Sequence, residues 1–331
     1  MIYKRTIVCC MLLMCEAASG LVWAQSTGME GVEIKPGKEF ARHRGNINSF
    51  RKYRVLAAGG GVHMMNYLGD LSPSNQWLPA DLRLVRPGLS AWMTYTLTPR
   101  TVGRLQLMVG RLLGDDARSA DYEDPASSSL YIRNLSFRND VVELSATFQV
   151  NLFRNFRAHA RRRSYNVHLV AGLGVLYSNP KARVPEFGPD NRRFSSYGRW
   201  VSLRDLGTEG QHSPYYDIAP YSLVHLALPT GAGVSVKLGP RTDLQLELVY
   251  RWLFTDYIDD VSGSYVDLGA LDSELARALS DRSGEETAIM GETPRPIDEI
   301  RENTGTVSYT SPFNGQSYTV ISGYGQQGRS R

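Results

Sequence analysis

Thr242–Thr255 reads TDLQLELVYRWLFT. Its even positions, Leu244, Leu246, Leu248, Tyr250, Trp252 and Phe254, are all apolar. Between them stand Asp243, Gln245, Glu247, Arg251 and Thr255, with Val249 and Leu253 as apolar exceptions. Side chains alternate across a strand, so a period of two describes a strand with two unlike faces. Strands in soluble sandwiches usually run about five or six residues. A tilted strand crossing a bilayer needs roughly 9–11, apolar toward lipid and polar toward a lumen. This stretch is long enough to cross, and its rings gather at one end, as they do at a lipid–water boundary.

The N-terminus carries the marks of export. Lys4 and Arg5 precede an apolar run from Ile7 to Cys15, and Val22-Trp23-Ala24 supplies a cleavage site. Residues 1–24 are therefore expected to be a secretory signal peptide cut after Ala24. The chain holds 37 basic and 33 acidic residues. Lys4, Arg5 and Glu16 leave with the signal, so the mature net charge is about +3. Cys9, Cys10 and Cys15 leave too, and an exported chain without cysteine is no disulfide scaffold. Met14 argues against lipoprotein processing at Cys15. No later run approaches the roughly 18 apolar residues of a membrane helix. Residues 25–52 form a basic periplasmic leader with Lys35, Lys38, Arg42, Arg44, Arg51 and Lys52. It reads either as a solvated segment or as one that docks on an acidic partner beneath the membrane.

The period of two recurs along the rest of the chain. Tyr53–Met65 opens the series and its glycines allow close backbone approach. Leu89–Leu97, Gly103–Leu113, Asp140–Leu152 and Ser164–Tyr177 each alternate apolar with polar or small residues. Tyr221–Leu238 does so around Pro229, where a bulge or a rim position is expected. Ser317–Gly325 is read as the closing strand. With Thr242–Thr255 these make eight.

The connections sort by parity. Thr98–Val102, Phe153–Arg163 and Gly239–Arg241 are short, whereas Asn66–Leu82, Gly114–Asn139, Ser178–Pro220 and Asp256–Gln316 are long. Alternating short and long links are the arrangement of tight periplasmic turns and extended external loops. A soluble sandwich has no reason to sort its loops this way. The expected fold is all-β, an antiparallel up-and-down transmembrane β-barrel of eight strands over residues 53–331, in the outer membrane. Side chains fill so narrow a barrel. Arg104, Gln106, Glu143, Gln149, Asp243, Glu247 and Arg251 are expected to pair inside it rather than line a pore. In the last loop, Leu271–Ser280 is expected to form a short helix capped near Asp272, and Asp281–Thr310 to be mobile.

Five motifs sit at the external ends: YLGDL (Tyr67–Leu71), GDDA (Gly114–Ala117), RNLSFR (Arg133–Arg138), LGTEGQ (Leu206–Gln211) and TDYIDDVSGSYVD (Thr255–Asp267). They nominate an external interaction set of Tyr67, Asp70, Asp115, Asp116, Arg133, Asn134, Phe137, Thr208, Glu209, Asp256, Tyr257, Asp259 and Asp260. Turn formers and solvated acids give the plainer account of the same residues. Clustered aspartates could hold Ca²⁺, but EF-hand spacing is lacking, and no metal or cofactor is expected. His63, His168 and His225 lie in or beside strands, and no serine–histidine–acid spacing marks them as a catalytic set. At the other end, Arg154, Arg157, Arg161, Arg162 and Arg163 crowd one turn on the side of the basic leader. They suit an acidic protein surface or anionic inner-leaflet headgroups. Export leaves nucleic acid out as a partner.

In this order and between strands of this kind, the five motifs resemble the Bacteroidota outer-membrane β-barrel family that includes PorG of the type IX secretion system. The resemblance covers about Val55 to Asp267. It implies a non-enzymatic outer-membrane barrel, and for PorG itself a component associated with the periplasmic ring of the secretion machine. The tail GQQGRSR departs from the family's habit of ending a last strand on an aromatic residue.

Overall fold

The computed structural model of the chain describes residues 9–10, 55–69, 71, 84–155, 162–288 and 292–328. Among them lie seven long strands: β1 (Leu56–Met65), β2 (Arg86–Thr96), β3 (Thr101–Asp115), β4 (Ser136–Asn151), β5 (Tyr165–Tyr177), β6 (Val224–Lys237) and β7 (Asp243–Leu253). Each pairs antiparallel with its neighbour in the chain. The first seven strands expected from alternation are therefore present. β2, β3 and β4 reach further at the loop end than alternation marks, because their extensions carry mixed rather than apolar outer residues.

The sheet curls into a half-barrel. β3 and β7 stand four places apart in the strand order, roughly 19 Å in a flat sheet. Yet Arg104 of β3 donates to both carboxylate oxygens of Glu247 on β7, at 2.7 and 2.6 Å. Only strong curvature brings those side chains together. On the convex face Leu89, Leu107, Leu144, Phe148, Leu169, Leu173 and Leu248 are 44–63 % exposed. On the concave face Arg104, Gln106, Glu143, Gln149, His168, Glu247 and Arg251 are 4 % exposed or less. Charged groups of this kind are ordinarily outside and leucines inside. Here the distribution is inverted.

The exceptions to alternation have a location. Val249 and Leu253 fall on the concave face near the loop end, where they join Met65, Met108, Leu112, Val141 and Leu176 in an apolar core. The concave side thus has a polar half toward the short turns and an apolar half toward the long loops. On the convex side, exposed Tyr95 and Tyr165 stand at the turn end and Tyr177 and Trp252 at the loop end. Tyr165 to Tyr177 spans about 40 Å of strand, or about 30 Å of height at a tilt near 40°.

Several expectations change. Ser317–Gly325 does not join this sheet. Its described strand, β9 (Ser317–Ile321), pairs instead with β8 (Thr306–Thr310) in a separate hairpin. Tyr318 and Val320 do alternate inward, but they pack on Val266, Leu268 and Leu271 of the last long loop. β1 has no long partner on its outer side among the described residues. On the outer edge of β7, among the described residues, only Cys9–Cys10 pairs, opposite Trp252 and Arg251. The rest of the expected signal peptide and residues 25–52 lie outside the described residues.

Pro229 produces no bulge. β6 runs through it in register, with Pro229 opposite Arg251 of β7. The ladder to β5 simply skips from Ala171–Thr230 to Gly174–Ala227, where proline lacks its N–H. The helix expected at Leu271–Ser280 is Glu274–Ser280, capped by Ser273 rather than Asp272, since Ser273 Oγ accepts the Ala276 amide at 3.1 Å. The stretch 281–310 contains a folded helix, Ile297–Thr304, and a buried Arg295. Arg295 donates to the carbonyls of Tyr131, Ile132, Ser283 and Glu285 at 2.9–3.0 Å.

Candidate functional site

The polar half of the concave face is a lattice of charge. Glu247 sits between two partners, the Arg104 guanidinium and His168 Nε2 at 2.8 Å. His168 and Glu247 lie two strands apart, both opposite Gly233 of β6. A Cβ on Gly233 would stand 2.7 Å from His168 Nε2 and 2.6 Å from Glu247 Cγ, so glycine is what lets the two meet. Arg104 also donates to Gln149 and Gln245, at 3.2 and 3.0 Å. One layer nearer the loops, Arg251 of β7 donates to Glu143 of β4 at 2.7 Å. These contacts tie β7 to β3, β4 and β5 across the hollow of the sheet.

Of the residues expected inside, Arg104, Gln106, Glu143, Gln149, Glu247 and Arg251 are there. Asp243 is not. It lies at the turn end, where Arg162 Nη2 and Nε hold it at 2.5 and 2.8 Å. The physical reason is position: Asp243 begins β7, beyond the enclosed part of the sheet. Arg162 also donates to the carbonyls of Gly239, Pro240 and Thr242, so it staples two short turns together. Its guanidinium serves the turn rather than a partner. Arg154 and Arg163 are exposed, the latter 5.4 Å above the Phe153 ring, whereas Arg157 and Arg161 lie outside the described residues.

Sequence spacing does not reveal that Ser235 joins this lattice. Its Oγ is 3.2 Å from His168 Nδ1, which gives a serine–histidine–glutamate order in space. The signal was available only as register, since Ser235 is two residues past Gly233. The connectivity resembles a nucleophile relay, but both Glu247 oxygens are held by the Arg104 guanidinium.

At the loop end the five motifs converge on one another. The Tyr67 ring meets Phe137 edge to face at 5.0 Å, and its hydroxyl donates to Asp259 at 2.7 Å. Asp115 caps the short helix Asp116–Ser119, accepting the Arg118 amide. Arg133 grips Asp116 with two parallel bonds, Nε at 2.7 Å and Nη2 at 2.8 Å, and the Leu135 amide completes the carboxylate. Asn134, in the left-handed region at φ 57°, donates to the Thr287 carbonyl. Gly114 leaves the space that the Phe137 ring occupies. Thr208 and Tyr221 both donate to Asp260. Glu209 accepts the Ser262 amide at 3.1 Å, and Tyr257 stacks on Tyr221 at 4.5 Å.

The expected external interaction set is therefore mostly interior to a cap. Tyr67, Asp115, Asp116, Arg133, Asn134, Phe137, Thr208, Glu209, Asp259 and Asp260 are all buried, and Asp256 and Tyr257 are half-buried. Asp70 lies outside the described residues. The clustered aspartates accept hydrogen bonds from hydroxyls, backbone amides and an arginine. A small cavity of about 10 Å³ beneath the cap, lined by Leu71, Leu135, Val261, Leu279 and Arg282 among others, has room for no more than a water.

Two outcomes follow for the cap. Asp116→Asn removes the carboxylate charge that grips the buried Arg133, and loss of one partner of such a pair costs about 3–5 kcal/mol. Faster protease cleavage within the loops, with the sheet intact, is the measurement. Asp115 governs the pH response. Its burial pushes the carboxyl up to about 6, against the opposing pull of the Arg118 amide and the Arg282 and Arg118 charges. The folded cap then holds that proton more tightly than the unfolded chain. Its stabilisation is present below the unfolded value near 3.8 and is lost as pH rises to about 6, on the order of 2–3 kcal/mol. Asp115→Asn should flatten that slope in pulse proteolysis between pH 4 and 7.

No protein-family model, no curated protein and no solved structure matches this chain.

Proposed function

We propose that this chain is a non-enzymatic outer-membrane β-barrel, similar to the family that includes PorG, which anchors or assists an envelope protein-secretion assembly of the type IX kind. One observation carries the membrane part: leucines and phenylalanine cover the convex face while arginines and glutamates fill the concave one. Contiguous apolar surface on that scale marks a binding or membrane surface. In lipid every backbone group needs a partner, so the half-barrel must close. β1 and β7 run the same way, and one further strand between them gives an even, fully antiparallel barrel. Cys9–Cys10 lies in that seam, and signal cleavage after Ala24 would vacate it. The short turns then face the periplasm and the cap faces outward.

The secretion role rests on the five motifs and on exposed Arg154 and Arg163 at the periplasmic end, which would attract an acidic protein surface. Its test is cross-linking and co-purification from outer membranes with the periplasmic ring proteins of the secretion machine. Reproducible absence of that association overturns the secretion role and leaves the barrel. Faster gel migration unheated than boiled tests the barrel itself. A structural or adhesive reading draws support from exposed loop aromatics, Phe187, Tyr197 and Tyr215. Loop deletions that abolish attachment while secretion continues would favour it. Hydrolysis of ester lipids lost in Ser235→Ala would revive an enzymatic reading.

A further inference from the structure

The convex face changes character abruptly at the loop end of β3 and β4. Val109 and Val142, paired in register, are the last apolar residues of the belt there. The next outward pair is Arg111 opposite Asp140, joined at 2.5 Å. One step further along β4, Arg138 points outward, 3.5 Å from Asp140 and 4.3 Å over the Trp200 ring. Directly opposite Arg138 stands Lys181, in the short strand Pro180–Arg183 that continues the line of β5. Arg183 follows on the same face, opposite Trp200 of the strand Trp200–Ser202. Phe137, Asn139 and Ala182 alternate to the opposite, buried side; on the cations' own face Arg111 is exposed, whereas Arg138 is half-buried beside Leu113, which packs on Leu84 and Trp200.

Arg111, Arg138, Lys181 and Arg183 thus form a basic ledge immediately above hydrocarbon-facing valines, with Asp140 between them. It spans three neighbouring strands, or about 10 Å across. Arginine forks suit phosphate oxygens, and a lysine supplies a point charge beside them. A single phospholipid phosphate would engage only part of that width. A ledge this wide, on the external side and continuous with the acyl-facing belt, fits a head that carries two phosphates.

We propose that this ledge binds the doubly phosphorylated disaccharide head of an outer-leaflet glycolipid, with the valines below it against the acyl chains. The inference rests on the membrane reading above but not on the secretion role. The test uses the full-length protein in nanodiscs of phosphatidylcholine alone, or with phosphatidylglycerol, or with bis-phosphorylated lipid A. Lipid retained per protein after extended washing is read by mass spectrometry. Wild type should retain lipid A about a hundredfold over the triple variant Arg111→Gln, Arg138→Gln, Lys181→Gln, given the contribution of each cation near a membrane surface. The pair Arg154→Gln, Arg163→Gln, at the opposite end, should retain it like wild type.

Lys181→Gln alone guards against misfolding of the triple variant, and a several-fold loss is expected from it. Equal retention by wild type and these variants overturns the inference, as does equal retention of phosphatidylglycerol and lipid A. If the protein enters every disc without a lipid preference, the ledge fails and the barrel stands. If it enters none, the membrane reading itself fails.

Discussion

Leu173→Arg is expected to destabilise the protein in a bilayer by about 2–4 kcal/mol, and Tyr177→Arg by only about 0–1. Leu173 is 57 % exposed near the middle of β5, between rings at Tyr165 and Tyr177. In a water-soluble sheet an arginine at so open a position would change little, since surface substitutions usually stay within about 0.5 kcal/mol. In lipid it must strip its hydration or drag water inward, and the cost grows with depth. Urea midpoints in lipid vesicles measure both variants. Equal, small effects at the two sites would sink the membrane assignment, because depth could not then matter.

Arg251→Gln should cost about 3–5 kcal/mol, because Glu143 would remain buried without its cation. The pair is enclosed on both sides, with side chains 2 % and 0 % exposed. Glu143→Gln added to Arg251→Gln should recover much of that loss, since two neutral amides carry no uncompensated charge. The interaction term of the double-mutant cycle, taken from urea midpoints in the same lipid, is the readout. Strict additivity would mean that the two residues do not hold β4 and β7 together. The same logic predicts that Gly233→Ala loosens the lattice one layer below, by pushing His168 away from Glu247.

The first seven strands were legible because each has unlike neighbours on its two faces, and alternation records this directly. Their pairing in chain order followed from the parity of the loops. Polar residues inside were legible too, since Arg104, Glu143, Gln149, Glu247 and Arg251 occupy the minor phase of clean strands. Asp243 misled because the same phase continues past the enclosed part of β7, and alternation has no marker for where enclosure ends. Ser317–Ile321 misled for a related reason. A strand's apolar face states that something covers it, not whether the cover is lipid or the loop residues Val266 and Leu271.

The motif residues show the limit most clearly. Read singly, Asp116, Arg133, Asp259 and Asp260 are solvated loop charges. Folded, they are buried against one another across separations such as 192 residues between Tyr67 and Asp259. Local sequence thus determined the two-faced strands, their order and the identity of the polar interior, because those depend on side chains a few residues apart. Tertiary structure alone decided which strand ends are enclosed, which loops fold into a cap, and that Ser235, His168 and Glu247 meet over Gly233. Each of these depends on curvature, and curvature is a property of the whole sheet.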